Sequence, residues 1–320
     1  MRTSISRFAP VVFAVFTFVP AVKAQWQATV GAQSNDKGRQ AVAFIPNELW
    51  IHAGDTIHWA VNADEIHTIT LLAAGQTRPP FFVGCPGFSF GAASFNGSTC
   101  VSTPPMVSGQ TFDVIFPTVG NFKLVCLVHP DMTAVVHVLD TLVALPHDQA
   151  FYDREAAEQA HDLLGELNLG QAQPQTDSPN SVTVGAGKTV ANGGGHSTIS
   201  LMRFVQPELV IHAGATVEWT NDDTSIPHTI TFGTEPQDPF PPSTNVTTDV
   251  DGALHATINS TSDSVHSGFI ASAPQDQTGL PQAPLGPTRF RITFTSPGVY
   301  PYICALHDNL GMKGSIIVLP

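Results

Sequence analysis

The stretch FIPNELWIHAGDTIHWAVNADEIHTIT, Phe44 to Thr70, has a second copy in FVQPELVIHAGATVEWTNDDTSIPHTIT, Phe204 to Thr231. Glu48/Glu208, Leu49/Leu209, Ile51/Ile211, His52/His212, Ala53/Ala213, Gly54/Gly214, Thr56/Thr216 and Trp59/Trp219 match at a constant offset. One extra residue then intervenes before His67 and His228 align, each followed by Thr-Ile-Thr. Within each copy an apolar run meets an Ala-Gly turn, and a second run alternates beyond it, as Thr56-Ile57-His58-Trp59 does. Period-two alternation interrupted by a turn predicts a pair of half-buried strands.

Working outward, FDVIFPTVGNFKLVC from Phe112 pairs with FRITFTSPGVYPYIC from Phe290. Phe122, Leu124 and Cys126 fall on one face of a strand, as do Tyr300, Tyr302 and Cys304, so both thiols point into a core. Both blocks recur in the same order, so the repeating unit is a whole domain. Only 12% of residues are charged, and 26 Pro and 26 Gly punctuate runs rich in Val, Thr and Ser. The chain therefore reads as all-β, with two β-sandwiches. Between the copies, LPHDQAFYDREAAEQAHDLLGELNLG turns to helix formers, which predicts one docked connector helix from about Asp148 to Leu167, with a dimerisation helix as the alternative. A polar linker, QAQPQTDSPNS, follows it. The expected organisation is a signal peptide over 1–24, domain 1 over 25–140, helix and linker over 141–180, and domain 2 over 181–320.

The signal reading rests on a basic head, MRTSISR, an apolar run too short to span a bilayer, and a small-residue end at AVKA. It implies a periplasmic or secreted protein with no membrane insertion after cleavage. The formal charge is −13, and the first 24 residues carry Arg2, Arg7 and Lys23 but no acid, so cleavage makes the chain more acidic still. Such a surface disfavours nucleic acid as a partner. Asn96-Gly-Ser, Asn245-Val-Thr and Asn259-Ser-Thr are glycosylation sequons, meaningful if the host modifies exported proteins.

Four cysteines divide two and two. Cys85 and Cys100 bracket a Pro/Gly-rich excursion present in the first copy alone, and in an exported protein they are expected to form a disulfide. The rival pairing, Cys126 with Cys304, has to join two domains. These two cysteines instead open CLVHPDM, Cys126 to Met132, and CALHDNLGM, Cys304 to Met312. Each stretch offers a thiolate, an imidazole and a thioether, and His67 and His228 supply a second imidazole from a remote strand. One thiolate and two imidazoles in a plane, with a weak axial thioether, suit an ion that alternates between Cu(I) and Cu(II). Zinc gains little from the methionine.

On these motifs each half resembles a cupredoxin domain of the plastocyanin, amicyanin and azurin type: Ala-Gly-(Asp)-Thr-x-x-Trp, then His, then Gly-x-Tyr/Phe-x-x-x-Cys-x-x-His and a Met. The resemblance covers about residues 40–139 and 195–319. It implies two Greek-key sandwiches and two type 1 copper sites, His67/Cys126/His129/Met132 and His228/Cys304/His307/Met312. The first ligand loop has the short amicyanin-like spacing, the second the longer plastocyanin-like one. The resemblance further implies single-electron transfer, with His129 and His307 as partly exposed exits and redox proteins docking at the ligand-loop ends. Many members follow the upstream His with Asn; here Thr68 and Thr229 stand there, and a hydroxyl is expected to brace the cysteine loop instead.

Neither copper-cluster enzyme pattern is present. No His-x-His occurs, and Val125 and Ile303, not His, precede the two cysteines. The expectation is an electron carrier rather than an enzyme; copper storage or delivery is the rival, and a two-domain oxidase or nitrite reductase relative the lesser one. His52 and His212 are expected as turn-adjacent surface residues, and the remaining histidines as ordinary solvated or strand positions.

Overall fold

The structure, a computed structural model, describes residues 24–81, 84–85, 87–167, 179–272 and 287–320. The proposed signal segment, apart from Ala24, and most of the polar linker lie outside the described residues. No described helix is long and apolar enough to cross a membrane.

The fold is mostly β, and two sandwiches repeat one topology. In the first, one sheet runs Glu48–His52, Thr133–Leu139, Gly120–Val125, Thr70–Leu71, Val101–Ser102. Its counterpart in the second runs Glu208–His212, Lys313–Leu319, Gly298–Ile303, Thr231–Phe232, Val265–His266. The order is the same, and the first two strands pair parallel in both. The facing sheets also correspond. In the first sandwich Gln25–Gln33 lies parallel to Thr56–Val61, and in the second Ser181–Val184 lies parallel to Thr216–Asn221.

Alternation explains the cores. Along Thr56–Val61 the inward residues Ile57, Trp59 and Val61 are buried while their neighbours are half-exposed. The matched strand Thr216–Asn221 buries Val217, Trp219 and Asn221 in the same way. Trp59 packs edge-on to Phe116 with ring centres 6.4 Å apart, and Trp219 packs edge-on to Phe232 at 5.7 Å. Aromatic pairs at these separations add about 1 kcal/mol beyond the area they bury. Asp55, in the turn before the first tryptophan strand, accepts from the Ala24 and His52 amides at 3.0 Å and from Trp26 Nε1 at 2.9 Å. That turn thereby holds the first strand in register.

The connector helix spans Gln149–Gly165, and the Asp148 carboxylate caps it by accepting from the Phe151 amide at 2.9 Å. A cap of this kind stabilises a helix by about 1 kcal/mol. The helix docks on the first sandwich. Tyr152 is buried against Trp26 and its hydroxyl accepts from the Trp50 amide at 2.8 Å. Leu163 packs on Ala41, Ala43 and Ile45. Strand Arg39–Ile45 is therefore buried on both faces, with Val42 and Phe44 turned to the sandwich core and the alternate residues turned to the helix.

The two halves are not independent beads. The hairpin Gly187–Asn192/Gly195–Leu201 belongs by position to the second copy, yet it extends the first copy's sheet by pairing antiparallel with Arg39–Ile45. Met202, Ile226 and Leu310 of the second copy pack into the hydrophobic cluster of the first. Arg203 fastens the seam, donating to Leu310 O at 2.6 Å and to Asp36 O at 2.7 Å.

Candidate metal centres

The upstream histidines are set by paired backbone bonds. His67 and Met106 exchange amide-to-carbonyl bonds at 2.9 and 2.7 Å, and His228 and Ile270 do so at 3.0 and 2.9 Å. The cysteines directly follow the strands Gly120–Val125 and Gly298–Ile303, and both are buried. Each ligand loop closes on itself, the Cys126 amide donating to Met132 O at 3.0 Å and the Cys304 amide to Met312 O at 3.1 Å. The longer second loop makes a short 3-10 turn at Asp308–Leu310, and Gly311 supplies the left-handed residue, φ 93°, that brings the chain back.

The structure brings together His67, Cys126 and His129 in one group and His228, Cys304 and His307 in another, with the candidate donor atoms of each within 4.8 Å of one another. Cys126 Sγ lies 3.6 Å from His129 Nδ1; Cys304 Sγ lies 3.4 Å from His307 Nδ1 and 3.8 Å from His228 Nδ1. All six residues are buried, as are Met132 and Met312, and both cysteines are free thiols. Cys85 and Cys100 form the expected disulfide.

Both ring nitrogens of His67 are buried without a hydrogen-bond partner, and His228 and His307 turn Nδ1 atoms toward each other at 3.1 Å. Orphaned imidazole nitrogens beside a thiol are costly in a dry interior and fit a cation placed among them. The electrostatics agree. Burial works against a Cys126 thiolate, yet His129 and His67 more than offset it and hold that thiol well below its usual range. Cys304 is lowered in the same way by His307 and His228. Burial works against charge on His129 too, but Cys126 and Glu65 raise it to about 9.

The threonine expectation is met in both copies. The Leu127 amide donates to Thr68 Oγ1 and the Ala305 amide to Thr229 Oγ1, each at 2.7 Å. The Thr68 and Thr229 amides approach the cysteine sulfurs at 3.4 and 3.3 Å. The expected exits are overturned: His129 is fully buried and His307 is 3% exposed, because the ligand-loop ends meet at the seam between the sandwiches. His52 and His212 sit at their turns and contact the carbonyls of Val143 and Pro320.

Five contributors went unread in the sequence. Glu65, 5% exposed, places Oε1 3.3 Å from His129 Nε2 and Oε2 3.2 Å from His307 Nε2. In the second copy Asp223 stands beside the upstream histidine instead, with Oδ2 3.6 Å from His228 Nε2. Arg78 donates to the His129 and Pro130 carbonyls at 2.6 Å and to the Cys126 carbonyl. Gly31 and Gly185, at φ 71° and 67°, let backbone lie against His67 and His228; a Cβ on Gly31 would stand 2.8 Å from His67 Nε2. The repeated Thr-Val-Gly-Ala at 29–32 and 183–186 is the signal that marks these glycines.

Residues 186–319 match the family of copper binding proteins described as plastocyanin/azurin. Amicyanin-alpha of Methylorubrum extorquens is 28% identical over 120 residues, 38% of this chain and 67% of that protein. The family match and this relative support a protein of cupredoxin type. Among solved structures, the oxidized plastocyanin from Dryopteris crassirhizoma is 20% identical, covering 43% of this chain and 99% of its own, with a TM-score of 0.24. The purple cupredoxin from Nitrosopumilus maritimus is 24% identical, covering 43% and 98%, with a TM-score of 0.21. The chain differs from a single sandwich in having two donor groups among its described residues.

Proposed function

We propose that this cupredoxin is an exported carrier of single electrons that holds two type 1 coppers, one at His67/Cys126/His129/Met132 and one at His228/Cys304/His307/Met312. The observation that carries the reading is the pair of buried His–Cys–His groups, each assembled from remote segments. Bound copper supplies the one-electron change. The chain supplies a thiolate already favoured by its neighbours, a braced loop, and a dry cage that limits rearrangement on oxidation or reduction. Four protein donors per group leave no open position for a substrate, which supports a carrier over an enzyme. The leader-like first 24 residues support a periplasmic or secreted location, and protein redox partners.

Purified protein should carry two coppers and an intense visible charge-transfer band. Cys126→Ser or Cys304→Ser should remove one copper and about half of the band. A colourless copper protein, or preferential zinc loading, overturns the reading. Retention of copper through repeated redox cycles, against a competing metal-free protein, separates a carrier of electrons from a carrier of copper.

A further inference from the structure

Glu65 stands between the two donor groups with a different sandwich on each side. Its Oε1 faces His129 Nε2 at 3.3 Å within its own domain, and its Oε2 faces His307 Nε2 at 3.2 Å across the seam. Its side chain is 7% exposed, and the two imidazoles it meets are 0% and 4% exposed, so water does not separate them. On the far edge of each ring, Nδ1 faces a cysteine sulfur, at 3.6 Å in the first group and 3.4 Å in the second. The result is an unbroken series: Cys126, His129, Glu65, His307, Cys304.

We propose that Glu65 is the bridge through which the two centres exchange an electron inside one chain. The inference rests on the copper reading above. The step moves one electron from one group to the other, so one centre is oxidised as the other is reduced. No bond forms or breaks, and no proton leaves the bridge. A carboxylate suits the position because two rings that bind metal through Nδ1 both present an Nε2–H, and a carboxylate has an acceptor oxygen for each. An amide has a single acceptor oxygen, so glutamine satisfies one ring and turns its NH2 toward the other. The repeat supplies no second copy of the bridge: Ser225 occupies the matched place and is buried within the second sandwich. A single glutamate at the seam therefore serves both centres.

The test uses the full chain with Met132→Gln, which sets the potentials and spectra of the two sites apart. Flash reduction with less than one electron per chain, followed at both bands, should show a concentration-independent redistribution between sites. Glu65→Gln and Glu65→Ala should each slow it by about tenfold or more while both coppers remain bound. Arg291→Ala, which removes an ion-pair cluster with Glu218, Asp249 and Asp251 on the second sandwich and touches neither ligand loop nor bridge, should leave the rate unchanged. In the metal-free chain, histidine-side-chain NMR should show exchange-protected Nε2 protons on His129 and His307, and Glu65→Ala should expose both. Redistribution at the parent rate in the Glu65 variants, an equal slowing in Arg291→Ala, or unchanged imidazole signals overturns the proposal. The two kinetic results leave two coppers and two bands in place, whereas failure of the copper reading removes them; the imidazole signals are read without metal and test the bridge alone.

Discussion

Thr68 and Cys126 are joined twice: the Thr68 amide approaches Cys126 Sγ at 3.4 Å, and Thr68 Oγ1 accepts from the amide that follows the cysteine. Thr68→Val keeps the shape but leaves the buried Leu127 amide unpaired, at a cost of about 1–3 kcal/mol. Urea denaturation of the metal-free protein should register that loss, and Thr229→Val should do the same through Ala305. The hydroxyl also sits 3.8 Å from the sulfur, so its removal should lower the reduction potential of the first site alone. An unchanged midpoint in both measurements refutes this role.

Gly31→Ala should strike the first site and Gly185→Ala the second. Left-handed backbone costs a residue with a Cβ about 1–2 kcal/mol, and here the added methyl also meets the ring of His67 or His228. Metal analysis should fall by one copper per chain in each variant. Full loading in either sinks the argument.

Arg78 holds three carbonyls of the first ligand loop, whereas Arg203 reaches a single carbonyl, that of Leu310, in the second. Arg78→Ala should weaken copper retention at the first site by about 10–100-fold and spare the second. Chelator competition, read at each site after serine replacement of the other cysteine, distinguishes this from a general loss of stability.

The metal-free protein should lose stability in alkali. Burial disfavours charge on His307, but Cys304 and Glu65 raise it to about 10, and His129 stands at about 9. Both folded values exceed the unfolded imidazole value of about 6.5, so the contribution is complete below that pH and disappears as pH climbs through the folded values. The lowered Cys126 and Cys304 thiols add stability over the same span until the unfolded thiol value of about 8.5 is passed, so denaturation midpoints should drop only above about that pH. Copper loading should flatten the profile, because the ring nitrogens then hold metal in place of protons. A flat metal-free profile contradicts it.

Much of this was legible in the sequence. Trp59 and Trp219 announced matched strands by alternation, Asp148 sat where a helix cap belongs, and the spacing of Cys126 from His129 and of Cys304 from His307 marked the loops. What escaped depends on packing between the copies. Nothing in Cys-Leu-Val-His says that His129 will be sealed by a second sandwich, and Glu65 reads as a solvated loop acid until His307 is brought beside it. Arg78 escaped for a related reason: it reaches the loop from a segment outside the matched blocks of the repeat.

The hairpin lent by the second copy to the first has a bearing on how the chain can be divided. A fragment that stops before Gly187 strips Arg39–Ile45 of its neighbour, and its amides from Gln40 to Val42 become a bare border of the sheet. Uncovered borders recruit strands from other molecules. Expressed alone, the first half is thus expected to self-associate, because the chain cannot be cut between its sandwiches without opening that sheet.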